Sequence, residues 1–294
     1  MNSIAFGLFY IINWIITLLP LRVLYVFSDF LFLLLYYFPG YRRKIVQTNL
    51  RNAFPEKSEA ELRIIEKKFY RHLADLFVEI LKLTHLSDKE HLRRCRIENP
   101  ELLEKLYSEG RDAVAIVGHY GNWEYLTIIS LVTSFTCLTV YKPLKNKHFD
   151  RFMNRLRTKQ KMLLSPMSQV MRDVIKLRSD GKRVLVSLLA DQTPARDEIH
   201  YWTTFLNQET PVYLGAEKIA SKYDMAVVFF NHQKIRRGYY NVKFELLFEH
   251  TKGLPEHVIT ETHVKRLEEL IREKPEYWLW SHRRWKYKRT NVNG

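Results

Sequence analysis

The stretch "DAVAIVGHYGNWEYL", residues 112–126, carries the clearest signal for the fold. It begins with a short β-branched apolar run that ends in glycine, which predicts a buried strand leaving a sheet. Asn122 follows the turn and can cap a helix running on through "WEYLTIISLV". A strand, a glycine turn and a helix start would place His119 at the carboxyl edge of a sheet, where open α/β sheets bind ligands.

The spacing of His119 and Glu124 does not by itself single them out. His85 and His263 also have an acid five positions later, but both lie in charged, helical sequence, and we expect solvated helix ends there. Because only His119 follows a predicted strand, we predict it as a general base and Glu124 as its carboxylate partner. The carboxylate would fix the tautomer of the ring and favour the imidazolium that forms.

Size and charge narrow the class of protein. A chain of 294 residues can bury one large core, or one domain plus an appendage. The formal charge of +15 favours anionic partners, which include nucleic acid, acidic lipid, phosphorylated substrates and acidic proteins. The two cysteines form no CxxC motif, so they predict neither a disulfide framework nor a zinc site and favour a reducing compartment.

The first 40 residues differ from the rest of the chain. Two apolar runs, "IAFGLFYIINWIITLLPL" (4–21) and "VLYVFSDFLFLLLYYF" (23–38), are separated by Pro20 and Arg22. We predict that residues 1–40 form a membrane anchor, a helix or hairpin that spans the bilayer or is deeply embedded in it. The basic "YRRK" (41–44) would hold the following domain on the cytoplasmic side. A buried N-terminal helical hairpin is the alternative.

Residues 41–294 are predicted to form one domain. Strand-like and helix-like stretches alternate through it, which predicts an α/β fold with a mixed central sheet flanked by helices. The predicted strands are 112–118, 136–142, 183–190, 226–232 and 239–248. The predicted helices are 58–84, 99–108, 122–133, 146–158, 166–179, 212–223 and 257–273.

Three further segments bear groups that could serve a site. "VYKPLKN" (140–146) ends a predicted strand with Lys142, and "RLRTKQK" (155–161) follows on a helix that could equally be a solvated basic end. "SLLADQTPA" (187–195) places Asp191 and Gln192 after another strand, where an aspartate can also be a simple turn former. The chain closes with "YWLWSHRRWKYKR" (277–289), either a surface tail touching lipid headgroups or part of a site.

Several other chemistries have no support in the sequence. It contains no GxGxxG motif and no phosphate loop, no HExxH or cysteine/histidine metal spacing, and no GxSxG elbow. We therefore predict no cofactor and no metal. A histidine base without a protein nucleophile would let a bound hydroxyl or amine attack directly, while nearby cations steady the oxyanion or hold an anionic substrate.

Taken together, these motifs resemble the lysophospholipid acyltransferase superfamily and, within it, the lipid A biosynthesis (lauroyl/myristoyl) acyltransferases. The superfamily pattern of histidine, four residues and an acid matches His119 to Glu124. The other matching blocks are "QTNLRNAFP" (47–55), "VYKPLKN", "RLRTK" (155–159), "LLADQTP" (188–194) and "WLWSHRRWK" (278–286). The family commonly has arginine where Lys142 stands, and "TPARDEIHYWTTFLNQETP" (193–211) departs from its pattern, which points to a shift in acceptor specificity.

The resemblance implies an enzyme of the bacterial inner membrane, with its catalytic domain on the cytoplasmic side. It would move a fatty acyl chain from acyl carrier protein, or acyl-CoA, to a hydroxyl of a glycolipid such as a lipid A precursor. His119 and Glu124 would be catalytic, with no covalent intermediate. Substrate contact is implied for Asn122, Lys142, Arg157, Lys159, Asp191, Gln192, Arg283 and Arg284.

The sequence leaves two groups of alternatives open. The acceptor could be a lysophospholipid, an amino-acid lipid or a mannosyl lipid, although the glutamate-glycine-threonine-arginine block usual for lysophospholipid enzymes is absent. A different class is a membrane-anchored binder of anionic lipid or nucleic acid, in which His119 and Glu124 are inert. We predict no nucleic-acid partner.

Overall fold

The computed structural model describes residues 3–38 and 40–289. Its helices are α1 (Ser3–Ile16), α2 (Leu21–Tyr37), α3 (Arg43–Ala53), α4 (Glu59–Lys82), α5 (Asp88–Arg94), α6 (Glu101–Ser108), α7 (Lys147–Arg157), α8 (Val170–Ser179), α9 (Gly215–Tyr223) and α10 (Val258–Glu273). Its strands are β1 (Cys95–Ile97), β2 (Ala113–Val117), β3 (Thr136–Tyr141), β4 (Leu163–Pro166), β5 (Val184–Leu189), β6 (Tyr201–Phe205), β7 (Gln208–Val212), β8 (Ala226–Arg236) and β9 (Tyr239–Phe248). Residues 1, 2, 39 and 290–294, which belong to the predicted anchor and domain, lie outside the described residues.

The central sheet is mixed and mostly parallel, as the sequence predicts. Its seven strands follow the order β1-β9-β8-β2-β5-β3-β4, and β9 runs antiparallel to β8. Strands β8, β2, β5, β3 and β4 are parallel, so their carboxyl ends lie at one edge of the sheet. Strands β6 and β7 form a separate hairpin.

The five predicted strands all form within a few residues of their predicted bounds. The short strands β1 and β4 and the β6–β7 hairpin were not predicted, because they are brief and lack a strong apolar run. The predicted helix over 122–133 is a 3-10 helix, Trp123–Leu131, and Asn122 makes no capping hydrogen bond to it.

Helices cover both faces of the sheet. Alternate residues of β2 enter two different apolar clusters, Val114 and Ile116 on one face and Ala113, Ala115 and Val117 on the other. All five are buried, so β2 is a central strand with helices on both sides.

The prediction that His263 lies at a solvated helix end is wrong. His263 is buried on α10 and does not lie at a solvated helix end. The helix turns this side chain, together with Val264 and Leu267, toward the interior. Burial lowers the pKa of His263 to about 4, which favours a neutral ring.

The two apolar runs fold as the helices α1 and α2. Polar side chains tie them to the domain: Ser28 donates to Asp75 of α4 at 2.7 Å, and Lys82 donates to the carbonyl oxygens of Thr17 and Leu19 at 2.6 and 2.9 Å. Much of the remaining surface of the two helices is apolar and exposed. Residues more than half exposed on it include Ile4, Leu8, Ile11, Ile15, Val26, Phe30 and Phe38.

A membrane-spanning anchor in residues 1–40 is not supported. No helix within residues 3–38 and 40–289 has both the length and the apolarity needed to cross a bilayer. The two runs are broken at Pro20 into helices of 14 and 17 residues.

Candidate active site

Sheet register brings His119 and Asp191 together. Val117 of β2 pairs with Leu189 of β5, and His119 and Asp191 each stand two residues beyond that pair. Because the two strands are parallel neighbours, both side chains leave the same edge of the sheet. The predicted position of His119 at the carboxyl edge is therefore confirmed.

Asp191 holds the His119 ring and its backbone. Asp191 Oδ1 lies 2.6 Å from His119 Nδ1, while Oδ2 accepts from the His119 backbone N–H at 2.8 Å and from the Trp278 indole N–H at 2.8 Å. Burial alone would raise the pKa of the Asp191 carboxyl, but His119 and these hydrogen bonds outweigh it and lower the pKa to about 2. Asp191 is thus a buried, ionised partner for the ring.

The second ring nitrogen of His119 points toward Gln192. The Gln192 amide nitrogen, which can only donate, lies 3.0 Å from His119 Nε2. With the ring proton on Nδ1 facing Asp191, the Nε2 lone pair accepts this bond. Trp123 packs edge-on against the ring, with 4.9 Å between centroids. His119 is therefore held in the tautomer that a general base needs.

Glu124 forms no hydrogen bond or ion pair with His119, contrary to the predicted pairing. It is buried and forms a two-pronged ion pair with Arg157, whose Nε donates to Oε2 at 2.9 Å. Burial would lower the pKa of Arg157, but the pair with Glu124 outweighs burial and raises it. Glu124 lies in the first turn of the 3-10 helix, and its side chain reaches toward α7. The carboxylate that orients the ring is Asp191.

A second layer of polar groups fixes the loop that follows His119. Gly121 adopts a positive φ of 60°, its N–H donates to the Tyr277 carbonyl at 3.0 Å, and its own carbonyl lies 3.2 Å from His72 Nε2. Asn122 is fully buried and donates to Glu79 at 2.9 Å. The structure therefore gives Asn122 a supporting role beneath the loop and does not bring it into contact with the cavity. Burial raises the pKa of Glu79.

His119 opens onto a cavity of about 440 Å³. Its walls are mostly apolar, and include Leu126, Val140, Met162, Leu189 and Phe230. Polar groups gather near the edge of the sheet. They are His119, Glu124, Arg157, Gln192, Lys142 and Lys145. Such an apolar cavity with a few converging polar groups is the usual form of a binding site for an amphiphile.

Two other basic residues are not brought to this cavity. Lys159 donates to the carbonyls of Leu83 and Leu86 at 3.0 and 2.6 Å, and so closes the carboxyl end of α4. Arg283 lies instead on a separate cleft formed with α3 and α4. Substrate contact by Lys159 is therefore not what the geometry favours.

The C-terminal segment is not wholly a surface tail, because part of it packs into the interior while Arg283, Lys286, Lys288 and Arg289 are exposed. Trp278 and Trp280 are buried, and Asn49 of the "QTNLRNAFP" block donates to the Trp280 carbonyl at 2.9 Å. Arg284 is also buried, with Nε and Nη1 making no hydrogen bond, and burial lowers its pKa to about 10. These buried side chains therefore offer no exposed surface to nucleic acid or lipid.

The sequence did not single out Trp278 as a site residue. Its indole bond to Asp191 depends on an isolated bridge between Tyr120 and Trp278, which brings distant parts of the chain together. The one feature of the sequence that indicates a buried role for Trp278 is the concentration of aromatic residues in the segment. In the described residues, no group of three or more His, Cys, Asp or Glu residues is placed to hold a metal ion, and the absence of a metal stays a prediction.

Comparison with known protein families finds a match over nearly the whole chain. A family model described as bacterial lipid A biosynthesis acyltransferase matches residues 2–287, nearly the whole chain. No curated protein matches the sequence.

Proposed function

The chain belongs to the bacterial lipid A biosynthesis acyltransferase family, and we propose that it transfers a fatty acyl chain from a thioester donor to a hydroxyl of a lipid A precursor. One observation carries the proposal. An ionised Asp191 and the Gln192 amide bracket the His119 ring beside an amphiphilic cavity.

In the proposed reaction, His119 acts as the general base. Nε2 takes the proton of the acceptor hydroxyl while the oxygen attacks the thioester carbonyl, which forms a tetrahedral oxyanion. The intermediate collapses, the C–S bond breaks, and the ring returns its proton to the leaving thiolate. The products are an ester and a free thiol, and Asp191 stabilises the imidazolium in between.

Gln192 would serve two states of the site. Without substrate its amide donates to Nε2, and an incoming hydroxyl must displace it. Once displaced, the amide remains within reach of the reacting carbonyl and can donate to the oxyanion. Lys142 and Lys145 add positive charge to the same cavity, whereas the charge of Arg157 is balanced by Glu124.

We propose acyl carrier protein as the donor and the cytoplasmic face of the bacterial inner membrane as the location. The charge of +15 suits an acidic protein donor. The exposed apolar side chains of α1 and α2 suit a helix pair that lies in the membrane interface. A lipid acceptor could then reach the site without leaving the bilayer for water.

The test is a direct assay of the purified protein with labelled acyl carrier protein thioester and a panel of lipid acceptors. We expect transfer to a lipid A precursor, and a loss of roughly 10³-fold in kcat for His119→Ala. His200→Ala is the matched control, since His200 is exposed and does not line the cavity. Equal activity of His119→Ala and the wild type would refute the mechanism, and transfer to another lipid alone would refute the acceptor.

A further inference from the structure

A basic cleft of about 860 Å³ lies between α3, α4 and the C-terminal segment. Six cationic side chains line it, against two acidic ones. The cations are Arg42, Arg43, Lys44, Arg51, Arg63 and Arg283, and the acids are Glu59 and Glu66. This excess of four positive charges faces an open recess.

Both acids in the cleft are already engaged. Glu66 accepts from Arg43 at 2.7 Å, and Glu59 accepts from Arg51 at 2.7 Å. Among the described residues, Lys44, Arg63 and Arg283 make no ion pair. Within the described part of the chain, Arg42 likewise has no ion pair, and it donates to the Ser281 carbonyl at 3.1 Å. Cations that converge without counter-charges form a site for an anion.

A smaller cavity of about 300 Å³ shares lining residues with both the cleft and the cavity at His119. Arg42 lines both the cleft and this cavity, while Trp123 and Gln192 line both this cavity and the one at His119. The small cavity has apolar walls from α4, including Leu76 and Phe77. A ligand with a charged end, an apolar middle and a reacting group would thus contact the cleft, the small cavity and the cavity at His119, in that order.

We propose that the cleft binds a phosphate group of the glycolipid acceptor, with Lys44 and Arg63 among its ligands. This rests on the proposed function. The cleft lies near the end of α2, because Arg43 of its lining donates to the Tyr36 hydroxyl at 3.2 Å, and a lipid headgroup beside the apolar helix pair would be close to it. A recess favours a compact anion over the broad face of an acidic protein.

The experiment compares Lys44→Ala, Arg63→Ala and the double variant with wild type, using the phosphorylated acceptor and the same lipid after phosphatase treatment. We expect KM for the phosphorylated acceptor to rise about tenfold for each substitution, with kcat and the KM for the donor unchanged. With the dephosphorylated lipid, wild type and variants should have the same KM. Arg172→Ala, which removes an exposed cation of α8 outside the cleft, is the control and should match wild type.

Other outcomes would overturn the proposal. If the substitutions raise only the KM for the donor, the cleft belongs to the carrier protein. If they raise the KM equally for the phosphorylated and the dephosphorylated lipid, the cleft does not recognise the phosphate. Inorganic phosphate should compete with the acceptor, less so in the variants, and phosphate that binds without competing would also overturn it. Equilibrium binding of both lipids in detergent micelles tests the preference for the phosphorylated lipid without turnover. If the wild type binds that lipid more tightly but transfers no acyl chain, the proposed function is refuted and the phosphate site is not.

Discussion

Two carboxylates stand close to the same cavity, and of these two only Asp191 forms a hydrogen bond with the His119 ring. Asp191, 72 residues from His119 in sequence, lies 2.6 Å from its Nδ1. Glu124, five residues away, is committed to Arg157. The difference follows from the sheet, because parallel register aligns the ends of β2 and β5 while a 3-10 turn carries Glu124 toward α7.

The comparison separates two kinds of contribution. In the proposed reaction, Asp191 orients the base and stabilises its charged form, whereas Glu124 keeps the partly buried Arg157 paired and lines the cavity. Substitutions on the two sides should therefore change different measured quantities. We expect the largest changes in kcat from substitutions of Asp191 and Gln192, and the smallest in the dependence of kcat on pH.

Asp191→Asn should reduce kcat by about 10³-fold, because an amide can no longer fix the Nδ1–H tautomer or stabilise the imidazolium. Single-turnover acyl transfer measures the loss, and circular dichroism checks that the fold persists. If Asp191→Asn loses less kcat than Glu124→Gln, Glu124 and not Asp191 is the more important carboxylate for the reaction.

Gln192→Ala should reduce kcat by about 10²-fold with little change in KM, since it removes a donor that acts on the oxyanion. Steady-state kinetics with varied acceptor measures both constants. If KM alone changes, Gln192 belongs to substrate binding and the proposed second role is wrong.

Glu124→Gln should affect stability more than chemistry. It leaves the partly buried Arg157 without its counter-charge, which we expect to cost about 2 kcal/mol of unfolding free energy. The loss in kcat should stay below the ~10²-fold typical of a proton-transfer group. Urea unfolding and kinetics measure the two effects, and Arg157→Gln/Glu124→Gln should recover part of the stability. No recovery would mean that the pair is not the source of the cost.

The pH dependence of kcat tests the charge of Asp191. With a pKa of about 2, Asp191 stays charged throughout the working range, so it does not cause an acid limb in kcat/KM. Asp191→Asn should therefore lower kcat by a similar factor across that range, because the carboxylate that it removes does not change its charge there. Steady-state kinetics from about pH 5 to pH 8 measure this dependence, and a loss confined to low pH would contradict an ionised Asp191.

The sequence predicted most of the framework and part of the site. The apolar runs at β2, β3, β5, β8 and β9 identified the central strands, because buried strands carry continuous β-branched sequence. His119 was placed correctly at the sheet edge from the strand and glycine that precede it. Asp191 and Gln192 were also noted, from their position after a predicted strand and their match to a family block, although for substrate contact.

The pairing of side chains could not be predicted in the same way. The spacing of His119 and Glu124 suggested a contact, whereas strand register determines which groups meet across the sheet edge. The roles of Trp278 and Asn122 depend on contacts with Asp191 and Glu79, far away in sequence. Likewise, apolar composition alone predicted an anchor in residues 1–40 but gave no sign of the buried polar contacts that tie those helices to α4.

Those contacts make the N-terminal helices part of the folded body. Lys82 donates to the turn between α1 and α2, and Tyr25 donates to Glu79, which also accepts from Asn122 beneath the catalytic loop. Removing residues 1–40 would leave the buried Lys82 ammonium without its two carbonyl acceptors. It would also leave the buried Glu79 carboxyl without the Tyr25 hydroxyl that donates to it. A shortened chain would therefore report on a damaged enzyme, and its inactivity would say nothing about whether lipid contact is needed for turnover.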